Sequence, residues 1–289
     1  MMEYKGVFTA IVTPFNHGAV DYEKLRELVD MQIAAKVAGI VPVGTTGESP
    51  TLSFEEHSSV IKTVIEQTAG RCQVIAGTGA NSTSEAVELT RRAKEAGADA
   101  TLQVVPYYNK PTQEGIFRHF SAVADQGGLP VVLYSIPGRS GVAIAEQTVA
   151  RLSKNPMIVA IKEAGGSAER VSAILDLCDI DVLSGDDALT LPMMAVGAKG
   201  VVSVTSNLFP AQMVEMVAAF ARGEMGRAQE LHRKLYAFFR DQFIETNPIP
   251  IKAAMAMRGL IREEYRLPLC ELSAASREKL AATLSRYQF

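Results

Sequence analysis

The stretch "MIVAIKEAGG", residues 157–166, decides how the chain is read. Met157, Ile158, Val159, Ala160 and Ile161 run on without a polar break and a Gly pair closes the segment, the pattern of a strand buried by covering helices. Lys162 arrives where that strand should still be buried. An ammonium is among the costliest groups to remove from water, so two readings compete. Either Lys162 marks the exit into solvent, as lysines at strand ends commonly do, or it sits in a pocket that disfavours its charged form and leaves the amine usable. The rest of the chain has to choose between them.

Outward from this segment, runs of the same kind recur: "GVFTAIVTPF" (6–15), "GIVPVG" (39–44), "CQVIAGTG" (72–79), "ATLQVVPYY" (100–108), "PVVLYSIP" (130–137), "DVLSGDD" (181–187) and "GVVSVTSN" (200–207). With 157–166 they make eight candidate strands, spaced by roughly the length of a strand, a helix and two loops. Amphipathic helices fill the gaps. "DYEKLRELVDMQIAAK" sets Leu25, Leu28, Val29 and Gln32 at helical spacing, and "NSTSEAVELTRRAKEAG" does the same with Ala86, Leu89 and Ala93. Ser53 with Glu56, and Ser82 with Glu85, have the S-x-x-E spacing of a capping box. Eight continuous apolar strands alternating with helices predict an α/β fold, a closed (β/α)8 barrel of the TIM type. From about 208 the sequence reads as helical to the end, so we expect a barrel over 1–225 and an appended C-terminal helical segment over 226–289.

Composition narrows the function. The chain has 289 residues, 47% hydrophobic and 21% charged, ordinary for a globular fold with a full core. A net charge of −3 and the lack of a basic, aromatic-interleaved run argue against nucleic acid as a partner. Three scattered cysteines, Cys72, Cys178 and Cys270, fit neither a disulfide framework nor a zinc site. With no leader-like N-terminus and no window apolar enough for a membrane span, the expectation is a cytoplasmic protein.

In a barrel of this type the chemistry sits at the C-terminal strand ends. Those ends carry Gly44, Thr45, Thr46, Gly47 and Glu48; Tyr107, Tyr108 and Asn109; Tyr134 and then Arg139; and Lys162 with Glu163. There is no HExxH motif, and His17, His57, His119 and His232 lie away from these ends, so no metal is expected. A lysine in an apolar strand, phenols and a hydroxyl-rich Gly turn suit imine formation with a carbonyl substrate. Thr45 and Thr46 can offer hydroxyls and close amides to a carboxylate, and Arg139 a planar fork to a second one. Each has a plainer reading: a βα turn, rim aromatics, a surface arginine. Their joint placement on different strand ends of one barrel favours the chemical reading.

The motifs "VGTTGES", "IAGTGANST", "VVPYYNKPTQEG", "LYSIPGRSG", "IKEAGG", "LSGDD", "GVVSVTSN" and "NPIPIK" together resemble the dihydrodipicolinate synthase family, within the pyruvate-dependent class I aldolases. The resemblance runs from the first strand to about residue 270. It implies that Lys162 forms a Schiff base with pyruvate, that the enamine attacks L-aspartate 4-semialdehyde, and that no cofactor is needed. By the same resemblance Tyr134 moves protons at the imine, Thr45 links it to Tyr108, and Tyr108 enters the neighbouring subunit's site. Thr46 and Val202 correspond to pyruvate contacts and Arg139 to the residue holding the semialdehyde carboxylate. A homotetramer built as a dimer of dimers is implied. So is a candidate lysine-effector site at Ser49, His57, Asn81, Glu85 and Tyr107, although Pro50 and Phe54 depart from its expected pattern. Two rivals remain: another pyruvate aldolase such as a sugar-acid lyase, and a barrel kept as a ligand sensor, which would have no use for a buried lysine and its relay.

Overall fold

The computed structural model describes residues 3–287. Its strands are β1 (Gly6–Ala10), β2 (Gly39–Val41), β3 (Gln73–Gly77), β4 (Ala100–Val104), β5 (Val131–Ser135), β6 (Ile158–Glu163), β7 (Asp181–Ser184) and β8 (Gly200–Ser203). They close into one barrel in sequence order, β8 pairing with β1, and every pairing is parallel. The strands are shorter than the apolar runs that announced them. A two-strand antiparallel hairpin (Phe15–Asn16 with Ala19–Val20) follows β1.

Helices α1 (Tyr22–Ala34), α2 (Phe54–Thr68), α3 (Thr83–Ala96), α4 (Gln113–Gly127), α5 (Pro137–Ser140), α6 (Glu146–Leu152), α7 (Glu169–Leu175) and α8 (Thr190–Ala195) return the chain between strands. Leu25, Leu28, Val29 and Gln32 are the buried residues of α1, as their spacing requires. The capping box at Ser53 and Glu56 forms in full. The one expected at Ser82 does not: that hydroxyl pairs with Ser84 Oγ at 3.1 Å and caps no amide, which leaves Glu85 free to face the gap towards α2.

Two separate apolar clusters follow from strand alternation. The inner one fills the barrel with Phe8, Val41, Ile75, Leu102, Val132 and Val202; the outer one packs strands against helices. After β8 come α9 (Pro210–Ala221), α10 (Met225–Asp241), α11 (Ile249–Met257) and α12 (Ala274–Leu284). Residues 258–273 are not helical, against the expectation of helix throughout. Gly259 at φ +70° turns the chain out of α11, and the segment beyond it is held by side chains instead: Arg266 reaches Glu56, the Thr51 carbonyl and the Gly18 carbonyl on the barrel rim. The outer core runs on through α10–α12, with Phe209 edge-on to Phe238 at 5.0 Å.

Candidate active site

Lys162 is the penultimate residue of β6, and strand alternation decides its direction. Ala160, two residues earlier, belongs to the inner cluster, so Lys162 points into the barrel at its C-terminal end and is only 6% exposed. It does not leave for solvent. Across the sheet it is in register with Tyr134 on one side and Leu183 on the other. Its Nζ lies 4.1 Å from the centroid of the Tyr134 ring, and Tyr134 is itself buried. The lysine stem fits because residue 185 is glycine: a Cβ there would stand 2.6 Å from Ala164 Cβ and 3.1 Å from Lys162 Cε. Glu163 takes the opposite face of β6. Burial raises its carboxyl above the usual carboxylate range, opposed by Arg170, which also binds Glu146 at 2.6 Å.

The loop after β2 carries Thr45 and Thr46. It is tightly drawn: Val43 and Glu48 both adopt φ +55°, and a Cβ on the facing Gly77 would fall 2.3 Å from the Val43 carbonyl oxygen. Thr13 Oγ1 donates to the Gly47 carbonyl at 2.7 Å. Thr46 is buried and its Oγ1 accepts from Asn247 Nδ2 at 3.0 Å, while Arg139 Nη2 donates to the Asn247 carbonyl at 2.9 Å. One asparagine therefore ties together the two candidate carboxylate binders. A cavity of ≈ 210 Å³ opens here, lined among others by Thr45, Ser49, Tyr107, Tyr134 and Arg139, and suited to a substrate of few heavy atoms. Val202 lies on β8 within the inner cluster.

Tyr108 is different. It is 91% exposed, at φ +70°, and within the chain it is not brought to Thr45 or Tyr134. Tyr107 is less exposed, at 38%, and lines the cavity; partial burial, followed by the charge of Glu85, raises its phenol. The candidate effector residues spread around this same corner. Ser49 and Tyr107 line the cavity, Asn81 Nδ2 donates to the Tyr107 carbonyl at 3.2 Å, and Glu85 borders a separate open hollow with Phe54 and Arg92. His57 is buried on α2; burial pushes its imidazole down to about 4, against a hydrogen bond to Gly77.

Sequence reasoning did not single out Asn247, Lys252 or Gly185, and gave Glu48 no role. Lys252 Nζ sits 2.5 Å from Glu48 Oε1, both side chains fully buried. "NPIPIK" beside "GTTGE" was the available signal, but nothing in either motif says that they touch. Among the described residues no cluster of three or more His, Cys, Asp or Glu could hold a metal, and no helix is long and apolar enough to cross a membrane.

A parallel barrel with an inward lysine at a strand end, a phenol against it and an arginine and threonines near the mouth has the arrangement found in barrel enzymes that work through a strand-borne amine. The comparisons with known proteins narrow this. The sequence profile of the Dihydrodipicolinate synthetase family matches residues 3–287, and the chain belongs to that family. It is 55% identical over 287 residues to the 4-hydroxy-tetrahydrodipicolinate synthase of Geobacter metallireducens, covering 99% of each chain. Its fold is similar to that of the same enzyme from Methylacidiphilum fumariolicum, with a TM-score of 0.97, 52% identity and coverage of 98% and 96%. Similar too are the chloride-inhibited enzyme of Acinetobacter baumannii in complex with pyruvate (TM-score 0.96, 45% identity, coverage 98% and 99%) and that of Cyanidioschyzon merolae with lysine bound (TM-score 0.95, 40% identity, coverage 98% of each).

Proposed function

We propose that the chain works as a 4-hydroxy-tetrahydrodipicolinate synthase in which Lys162 is the nucleophile. The observation that carries this is the inward placement of Lys162 at the C-terminal end of the barrel against Tyr134, which itself lines a small cavity. The neutral amine adds to the ketone carbon of pyruvate, and the carbinolamine oxygen takes a proton and leaves as water, giving the imine. Loss of a methyl proton gives the enamine. Its carbon attacks the aldehyde of L-aspartate 4-semialdehyde, and the amino group of that substrate then displaces the lysine as the ring closes.

Tyr134, whose ring lies against the amine, passes protons to and from these oxygens in this reading. Thr46, held by Asn247, takes the pyruvate carboxylate and the backbone at Val202 makes a contact near the pyruvate; Arg139, oriented by the Asn247 carbonyl, takes the carboxylate of the second substrate. Thr45 joins Tyr134 to a phenol that the chain does not supply to itself. An exposed Tyr108 projecting from its loop supports delivery to a second subunit, hence a dimer as the smallest complete unit and a homotetramer as a pair of such dimers. Free lysine as an effector at Ser49, His57, Asn81, Glu85 and Tyr107 belongs to the same proposal, as do a reducing cytoplasm, which suits the three free thiols, and a division into barrel (1–225) and C-terminal helical segment (226–289).

The test is incubation with pyruvate and sodium borohydride followed by peptide mass mapping, with a turnover assay on aspartate semialdehyde in parallel. A reduced adduct on Lys162 together with turnover is expected. An adduct without turnover would move the reading to another pyruvate aldolase; no adduct would refute the role of Lys162.

A further inference from the structure

Lys252 lies on α11, outside the barrel, and is as deeply buried as any residue in the protein. Its ammonium stands 4.3 Å from the centre of the Phe15 ring and 5.3 Å from that of Tyr265, with one carboxylate, Glu48, at 2.5 Å. Glu48 Oε2 also accepts the Arg266 backbone N–H at 3.4 Å. Glu48 in turn belongs to the loop that carries Thr45 and Thr46: its N–H donates to the Thr45 carbonyl at 3.2 Å, and its own carbonyl accepts from Thr51 N–H at 2.9 Å and Thr51 Oγ1 at 3.0 Å. Two bonds therefore separate the Lys252 ammonium from the Thr45 backbone.

Such a pair is a poor way to gain stability. Removing both ions from water is costly, and apolar residues of similar size commonly hold a fold as well or better. What the pair supplies is position. The loop keeps two non-glycine residues, one of them the β-branched Val43, at φ +55°, a conformation that persists only where the surroundings over-determine it. Beyond Thr13, the side chains that hold it come from the C-terminal segment: Asn247 on Thr46, Lys252 on Glu48, and Arg266 on Thr51 and Glu56.

We infer that Glu48 and Lys252 are positioning residues for the carboxylate end of the site, and that through Lys252, together with Asn247 just before it, the helix α11 is a working part of pyruvate binding. The inference rests on the Schiff-base reading above and adds to it which groups set the pose of Thr45 and Thr46. Neither Glu48 nor Lys252 touches the substrate.

The experiment compares the full chain with Glu48→Met, Lys252→Met and the double variant. Each is followed by thermal unfolding and by the pyruvate concentration that gives half-maximal borohydride trapping on Lys162. Each single change leaves a buried charge alone and should lower the melting temperature, whereas the double change should bring it back towards the native value. The double variant should nonetheless need about tenfold more pyruvate for half-maximal trapping while reaching the native maximum, the signature of lost ground-state binding. A double variant that is stable and needs no more pyruvate than the native protein would overturn the inference alone. Absence of trapping in the native protein would bring down the catalytic reading as well. Should the double variant not fold, Glu48→Asp keeps the charge opposite Lys252 but draws the carboxylate back by one methylene, and a raised pyruvate requirement at an unchanged maximum is required of it; no shift in that variant would overturn the inference.

Discussion

Two lysines are taken out of water in this protein, and they are treated in opposite ways. Lys252 is given a carboxylate at 2.5 Å and two aromatic rings, so its charge is answered. Burial still lowers its affinity for a proton, with Glu48 pulling the other way. Lys162, 6% exposed, meets an aromatic ring at 4.1 Å and, among the described residues, forms no ion pair. The difference teaches that burial alone does not mark a reactive amine. A buried lysine with a carboxylate against it is a fastening; one left against a phenol with no carboxylate is the one the proposed reaction calls on.

The sharpest way to break this comparison is to delete each amine. Lys162→Met should abolish pyruvate trapping and lower turnover by about a thousandfold or more, while leaving the melting temperature equal or higher, because an apolar side chain replaces a poorly compensated one. Trapping at an unchanged level in that variant would show that the two lysines had been assigned the wrong way round. Lys252→Met should do the reverse. Stability should fall by about 3–5 kcal/mol, the usual consequence of stranding a buried carboxylate, with the Lys162 adduct still forming on whatever remains folded.

A smaller effect tests the neighbour that distinguishes Lys162. Tyr134→Phe keeps the ring beneath the amine and removes only the hydroxyl. Turnover should fall by about a hundredfold, the usual size for loss of a general acid–base group, and slow imine formation with it, while the folded state is little changed. Full turnover in this variant would reduce Tyr134 to packing and leave Lys162 without its distinguishing partner.

What was legible in the sequence follows from the same physics. Lys162 stood out because a cation interrupts an otherwise unbroken apolar strand, and period-two alternation then places Tyr134 beside it once the barrel is inferred. Thr45, Thr46 and Arg139 were legible as strand-end residues; the structure puts Thr45 and Arg139 in the lining of one cavity and joins Thr46 to Arg139 through Asn247. Lys252 was silent. A lysine on a helix is read as solvent-facing by default, and only tertiary packing reveals that α11 is buried on nearly every side, with Ile249, Ile251, Ala253, Ala254 and Met255 all inside. Asn247 was silent for a related reason: its bonds to Thr46 and Arg139 span more than a hundred residues of chain, which no local pattern encodes. The failed cap at Ser82 is the local counterpart, where one more serine two residues on takes the hydroxyl that the spacing alone assigned to an amide.

The imidazoles sharpen the comparison from a third direction, because they meet burial by giving up their charge. His57 and His119 are 5% exposed each, and burial pushes both down to about 4 from an ordinary value of 6.5. His119 Nδ1 has the Thr83 hydroxyl at 2.9 Å, and burial is the cause of its lowered affinity for a proton. Between about pH 6.5 and pH 4 the unfolded chain therefore binds protons that the folded chain refuses. Stability is whole above that window and falls as the pH is lowered through it, by on the order of 3 kcal/mol for each imidazole. The Glu56 carboxyl, held near 2 by hydrogen bonds from Arg266, adds its loss only below about pH 4.5, so the two contributions separate on the pH axis. Melting temperatures measured from pH 8 to pH 4 should decline with a slope that His119→Gln makes shallower. A slope unchanged by that substitution would mean that His119 keeps its proton in the folded state, and that burial in this protein is survived by charged groups without a partner more readily than Lys252 and its carboxylate imply.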